Sequence, residues 1–228
     1  MALTFITWLW GNKYSPLDVE KLAAGIRRNT NRPYRFIVFS EKAHQYAAPI
    51  ECAPLPDLEL TGRGCFCRLR MFDPEWQKQY NFDDRIVSLD LDALIVRNID
   101  DVFYRSENFL ILGGVNAINP NPFNCSVMLL RPGKHEEVWK DFTLEKACNV
   151  PYFEFPDDQG WIWHKLPNAD TWPVGAESGI YGFHKPGWPQ GIYNYGLPND
   201  ARIVAFIGKR KPEMYSGLSW MKKYWRDV

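Results

Sequence analysis

Residues 3–40 carry a strand, a helix and a second strand joined by very short connections, and that order leaves few folds open. Residues 3–10 alternate, are rich in β-formers and stop at Gly11. Ser15-Pro16 then marks a helix start, with Ser15 at the N-cap, Pro16 at the first helical position, and Asp18 and Glu20 in the positive first turn. Val19, Leu22, Ala23 and Ile26 recur at helical spacing, so this helix packs on a sheet through one stripe. Residues 35–40 are short and nearly all apolar, as in a strand buried on both faces. A strand–helix–strand unit of this kind predicts a parallel sheet.

Further along, residues 47–64 hold three prolines and two glycines and are expected to be loop. Residues 67–79 look helical, and residues 84–89 form a buried strand that runs straight into Asp90. Residues 109–114, 124–130 and 203–207 read as further strands, with a helix near 135–148. Residues 167–198 are rich in Gly, Pro and aromatics and are expected to be mostly loop, as a lid or an acceptor-binding wall. At 228 residues the chain suits one full α/β domain and is short for two.

Twenty-seven basic residues cancel 27 acidic ones, so no net pull toward nucleic acid or an anionic membrane is expected. A phosphate-bearing ligand must then be held by a local site. Cys52, Cys65, Cys67, Cys125 and Cys148 are odd in number and irregularly spaced, which favours free thiols over a disulfide framework. The N-terminal residues lack a basic start and a small-residue cleavage site, and no apolar run approaches the ~20 residues that span a bilayer. These features predict a soluble, cytoplasmic protein. Aromatic residues make up 15% of the chain, which suits the apolar C–H faces of sugars, although most such rings serve packing.

Asp90-Leu91-Asp92 carries the chemistry. Side chains two apart at a strand end point to one face, so both carboxylates are expected to converge beyond the carboxyl end of the sheet. A hard cation such as Mn²⁺ or Mg²⁺ takes one or two carboxylates plus phosphate oxygens, and neutralises charge on a leaving diphosphate. The same motif also occurs as the nucleophile and acid of haloacid-dehalogenase-type phosphatases. There it lies near the N-terminus and is followed by a small residue and Thr or Val, whereas here Ala93-Leu94 follows.

With these residues in place, the chain resembles glycosyltransferase family 8 and its bacterial or viral relatives, the group that includes glycogenin and lipopolysaccharide galactosyltransferases. Residues from Ile6-Thr7-Trp8 through Gly11, Lys13 and Tyr14 are similar to the opening block that cradles the nucleobase. Arg68 falls where the family has a basic residue touching the donor. Leu89-Asp90-Leu91-Asp92, continuing through Arg97-Asn98-Ile99-Asp100-Asp101-Val102-Phe103, resembles its most recognisable stretch. Phe123-Asn124-Cys125-Ser126-Val127-Met128 resembles the block that meets the donor sugar, and Asp157-Asp158-Gln159-Gly160 the block under the anomeric carbon. Phe206-Ile207-Gly208-Lys209-Arg210-Lys211-Pro212 is similar to the closing block, whose lysine pairs with the diphosphate.

The resemblance implies a GT-A fold, with a mostly parallel central sheet flanked by helices. It assigns residues 1–105 to the nucleotide half and 106–228 to the sugar and acceptor half. It implies transfer from a nucleoside-diphosphate sugar, a UDP-sugar by analogy, to a hydroxyl of a glycan, glycolipid or glycoprotein, with retained configuration. Thr7, Trp8, Gly11, Tyr14, Arg68, Asp90, Leu91, Asp92, Asn124, Ser126, Gly208 and Lys211 are the implied donor contacts. Asp90 and Asp92 are the implied ligands to Mn²⁺ or Mg²⁺, and Asp158, Gln159 and Lys211 the implied catalytic group. Peripheral membrane association of a cytoplasmic enzyme is left open.

One departure stands out. The family places a metal-binding histidine in the closing block, and here Ala205 and Ile207 stand at the two registers open to it. His164 and His184 are alternative candidates for that role, and an inert donor-binding homologue is the competing reading. A nucleotidyltransferase shares the architecture, but Trp8-Leu9-Trp10-Gly11-Asn12-Lys13 supplies no Gly-rich phosphate loop. Asp158 and Asn124 also have structural readings, as a helix cap and as a partner for strand-end backbone. Trp161, Trp163, Trp172 and Trp188 fall in the acceptor-facing region, where each is more naturally core than platform.

Overall fold

The computed structural model describes residues 2–47, 49–62, 64–82, 84–115, 121–152, 154–189 and 195–226. Strand β1 (Leu3–Leu9) is buried along its whole length and is followed by helix α1 (Pro16–Asn29). The Asp18 carboxylate accepts from both the Ser15 backbone N–H (2.8 Å) and the Ser15 hydroxyl (2.9 Å), which fixes the helix start. Strand β2 (Tyr34–Ser40) runs parallel to β1, with Leu3 opposite Tyr34 and Leu9 opposite Ser40. The expected strand–helix–strand unit is thus present.

Residues 47–64 are not all loop. Strand β3 (Ile50–Pro54) pairs in parallel with β2 at the sheet edge, and a short 3-10 turn covers Leu58–Leu60. No residue of β3 is buried, so its sequence carries no hydrophobic pattern and the strand exists because β2 offers it an edge. The helical stretch near residue 67 is broken. A 3-10 helix (Phe66–Phe72) stops at Asp73, whose carboxylate accepts from the Glu75 N–H (3.0 Å) and caps α2 (Pro74–Tyr80).

Strands β4 (Arg85–Leu89) and β5 (Ala93–Ile95) and helix α3 (Asp100–Phe103) follow. Next come β6 (Phe109–Gly113) and β7 (Phe123–Leu130). The helix expected near 135–148 is two short ones, α4 (Glu137–Lys140) and α5 (Leu144–Cys148), separated where Thr143 caps the second. Helix α6 (Asp158–Lys165) precedes β8 (Asp170–Pro173) and β9 (Ile180–Gly182), so residues 167–198 also hold strands that composition concealed. Strand β10 (Ile203–Ala205) and helix α7 (Ser219–Tyr224) complete the order.

Seven strands form the main sheet in the order β3-β2-β1-β4-β7-β6-β8, and β5-β10-β9 form a small second sheet. Only β7 runs against its neighbours β4 and β6. The segments 1–105 and 106–228 therefore meet inside one sheet, where β4 pairs with β7. Aliphatic and aromatic side chains pack in two clusters about this sheet, and a third cluster with Phe183, Phe206 and Trp220 packs with the small sheet. Trp161, Trp172 and Trp188 are core residues (2%, 4% and 4% exposed), so they form no acceptor platform, and Trp163 is partly buried against the cluster that contains Trp161. Among the described residues, no helix is long and apolar enough to cross a membrane.

Candidate active site

The topology assembles the site at the carboxyl end of β4. Because β7 is antiparallel to β4, its beginning lies where β4 ends: Leu89 faces Val127, and the Asp90 N–H donates to the Ser126 carbonyl (3.0 Å). Strand β10 pairs with β5 so that Ala205 faces Ala93, and the Phe206 N–H donates to the Asp92 carbonyl (3.2 Å). This register carries the closing block, with Lys211, to the acidic motif. The motif itself is not a continuation of the strand. The Ala93 N–H donates to the Asp90 carbonyl (3.0 Å), so Asp90-Leu91-Asp92 is a tight turn with Leu91 packed inward (2% exposed). Both carboxylates line one cleft, but the turn, rather than a strand's two-residue repeat, puts them there.

The two carboxylates have different partners. Asp90 accepts from the Ser126 hydroxyl (2.9 Å) and from Arg68, whose Nε donates to Asp158 Oδ2 (2.7 Å). Arg68 is 7% exposed and Asp158 2%, so the Asp90–Arg68–Asp158 array is largely removed from water. Burial pushes the Asp158 carboxyl up from its ordinary value, and Arg68 opposes that rise. The array forms because Gly64 passes against residues 156–157: a Cβ there would lie 2.1 Å from the Pro156 carbonyl, and its φ is +62°. The Asp158 N–H donates to the Gly64 carbonyl (2.9 Å) across this contact.

Asp92 (4% exposed) accepts from the Tyr14 hydroxyl and from Lys211 Nζ (3.2 Å), and Lys211 also donates to the Tyr14 hydroxyl. Burial and the Asp92 charge push the Tyr14 phenol far above its ordinary range, so it acts as a donor at every working pH. Lys13 and Lys211 both sit over the Tyr14 ring, 4.9 and 4.6 Å from its centroid. Tyr14 is thus placed beside the acidic turn by its hydroxyl as well as its ring.

Asn124 does two things. Its Oδ1 accepts from the Ser126 N–H (3.1 Å), satisfying strand-end backbone, and its Nδ2 reaches Gln159 Oε1 (3.5 Å). Asp157, not Asp158, caps α6, accepting from the Gly160 N–H (2.8 Å). Asp158 Oδ1 instead accepts from the Gln159 N–H (2.9 Å). These groups surround a cleft of about 310 Å³ that Lys13, Lys185, Ile207 and Gly208 also line. A narrower slot of about 210 Å³ adjoins it, walled by Trp8, Trp10, Tyr14, Thr61, Leu91 and Phe155. Together they pair a polar, charged cleft with an aromatic slot, as ligand sites commonly do.

Some expected residues lie elsewhere. Thr7 is completely buried and its hydroxyl donates to the Leu89 carbonyl (2.8 Å), joining β1 to β4 instead of touching a ligand. Gly11 lines neither cavity; it is exposed, with φ +61°. His164 lies against Trp161 on a separate surface hollow, and His184 packs among Phe183, Trp188 and Tyr195. Neither replaces the missing histidine, because neither lines the cleft. Gly64, Cys65, Lys185 and Phe155 were missed, since no local pattern distinguishes them, and Lys13 and Asp157, although inside family-like blocks, were given no role. A glycine two residues after another, Gly62 and Gly64, was the only available signal for the close crossing.

Mn²⁺ or Mg²⁺, expected at Asp90 and Asp92, would have to compete for this donor set with the groups that already donate to it. Such ions want about six oxygen ligands. Three carboxylate oxygens of the pair already accept from Arg68, Ser126, Tyr14 or Lys211. Among the described residues, no group of three or more His, Cys, Asp or Glu side chains is arranged to hold a metal ion. Ala205 contributes a buried methyl and Ile207 a branched alkyl chain.

Asp157 carries a measurable pH signature. Burial, and then the Asp158 charge, push its carboxyl up to about 7 from an ordinary 3.8. A raised acid favours the folded state at low pH, and that contribution is lost as pH rises through about 7. Asp157→Asn keeps a cap acceptor for Gly160 and stays neutral. Its melting temperature is expected to hold steady between about pH 5 and 8 while that of the parent chain falls. Parallel profiles by scanning calorimetry would remove Asp157 as the titrating group.

No protein-family model matches the sequence, and no curated protein matches it. Solved structures do match. The galactosyltransferase LgtC, determined with donor and acceptor sugar analogues, superposes with a TM-score of 0.60 at 12% identity, over 98% of this chain and 96% of that one. The glycosyltransferase GlyE of Streptococcus pneumoniae TIGR4 gives 0.65 at 14% identity, over 97% of this chain and 63% of that one. The bifunctional glycosyltransferase WbbM gives 0.60 at 11% identity, over 92% of this chain and 46% of that one. The chain has the GT-A fold of these proteins.

Proposed function

We propose that this GT-A chain is a glycosyltransferase that moves a sugar from a nucleoside-diphosphate sugar to an acceptor hydroxyl. One observation carries the reading: an acidic turn, a buried Arg68–Asp158 pair, Gln159 and two lysines converge beside an aromatic slot at the carboxyl end of β4. The nucleobase enters the slot between Trp10 and Phe155, the diphosphate lies over Tyr14 against Lys13 and Lys211, and the sugar points toward Asn124 and Gln159. By analogy with LgtC, determined with an acceptor sugar analogue, the acceptor is a sugar, and the resemblance to family 8 favours a UDP-sugar as donor.

The acceptor oxygen forms a bond to the anomeric carbon as the bond from that carbon to the leaving phosphate oxygen breaks. The acceptor proton passes to that phosphate oxygen, which lies on the same face, and configuration is retained. The residues stabilise charge and geometry and take no covalent part. Lys211 faces the charge that grows on the diphosphate. Asp158 has both oxygens occupied by Arg68 and the Gln159 N–H, so its task is to orient Gln159 under the reacting carbon.

A panel of nucleotide sugars incubated with the protein, with and without Mn²⁺, tests the reading through slow donor hydrolysis. Release of nucleoside diphosphate from one member of the panel is expected. Binding without release identifies a donor-binding homologue instead, and failure to bind any member ends the proposal.

A further inference from the structure

Two lysines from opposite ends of the chain share one tyrosine ring in the cleft. Lys13 and Lys211 both lie over Tyr14, with their ammonium groups 4.9 and 4.6 Å from the ring centroid. Like charges brought together repel unless an anion joins them. The cleft's acids answer other partners: Asp90 and Asp158 share Arg68, and Asp92 accepts from the Tyr14 hydroxyl. Asp92 is the one acid that also holds Lys211 (3.2 Å), and it keeps that ammonium over the ring of Tyr14, a residue that walls the aromatic slot. Where a metal-binding histidine would stand, Ala205 and Ile207 offer no donor atom.

We infer that Lys13 and Lys211 together replace the divalent ion, so that the chain binds a nucleoside diphosphate without metal. Two monovalent ammonium groups supply the same charge as one Mn²⁺, and Lys donates to phosphate oxygens directly. Both lysines contact the Tyr14 ring, and Arg68 donates to Asp90, so its positive charge partly offsets that carboxylate beside the incoming phosphates. This rests on the glycosyltransferase reading, and it further assigns Lys13, which lies in the opening block, to the diphosphate.

Calorimetric titration with UDP and with GDP, each in EDTA and in Mn²⁺, is the test. At least one nucleotide is expected to bind with a dissociation constant that agrees within about twofold in the two buffers. Lys13→Ala and Lys211→Ala should each weaken that binding in EDTA by about tenfold to a hundredfold, the loss of one charge-assisted contact, and Lys13→Ala should do so with an unchanged melting temperature. Lys13→Arg should restore most of the affinity. Binding that requires Mn²⁺ overturns the inference and leaves the glycosyltransferase reading standing. Metal-independent binding untouched by Lys13→Ala overturns it as well. Absence of binding by either nucleotide in both buffers, with donor hydrolysis also absent, overturns both.

Discussion

Replacing Arg68 by methionine is expected to destabilise the fold by about 3–5 kcal/mol, the cost of leaving buried carboxylates without their cation. Arg68 is 7% exposed and bridges Asp158, which is 2% exposed, to Asp90. Methionine fills much of the volume, so the loss comes from charge and not from a cavity. The pH dependence follows from the sign of the perturbation. Burial already raises the Asp158 carboxyl, and without Arg68 only the Gln159 N–H opposes that rise. A raised acid stabilises the fold at low pH and loses that contribution as pH climbs, so the deficit of the variant should be larger at about pH 8 than at about pH 5. Urea unfolding at the two values measures this. Adding Asp158→Asn to Arg68→Met should recover part of the loss, since a neutral amide needs no counter-ion. A deficit below about 1 kcal/mol at both values would mean that the array is open to water and behaves as a surface pair.

Lys211→Ala is expected to slow sugar transfer by about a hundredfold to a thousandfold while leaving acceptor affinity nearly unchanged. The ammonium sits 3.2 Å from Asp92 and over the Tyr14 ring, where the proposed donor pose puts the diphosphate. Charge on the diphosphate grows as the glycosidic bond breaks, and a fixed cation there lowers the barrier more than it tightens ground-state binding. The turnover number should therefore fall more than the Michaelis constant for acceptor rises. The opposite pattern would remove Lys211 from the donor site. Because Lys211 is half-buried and packs against Tyr14 without filling the core, the variant should fold, and its melting temperature checks that directly.

The sequence alone determined the β1–α1–β2 unit and the strand leading to Asp90, and it singled out Asp90 and Asp92, though as a strand end and not as the turn they form. Each depends on residues close in the chain: hydrophobic periodicity, the Ser15 and Pro16 helix start, and a strand ending in carboxylates. Edge strand β3 and the short strands β8 and β9 were hidden because their pairing partners, not their own composition, make them strands. Tertiary structure also decided what the site residues do. Thr7 matched a family block but points into the junction of β1 with β4, and a single strand cannot show which of its faces a neighbour will cover. Arg68 meets Asp158 across 90 positions where Gly64 crosses residues 156–157, and Tyr14 meets Lys211 across 197 because β10, paired with β5, carries the closing block to the acidic turn. Local pattern reports how much of a segment is buried, whereas a binding site is set by which distant segments the sheet order brings to one edge.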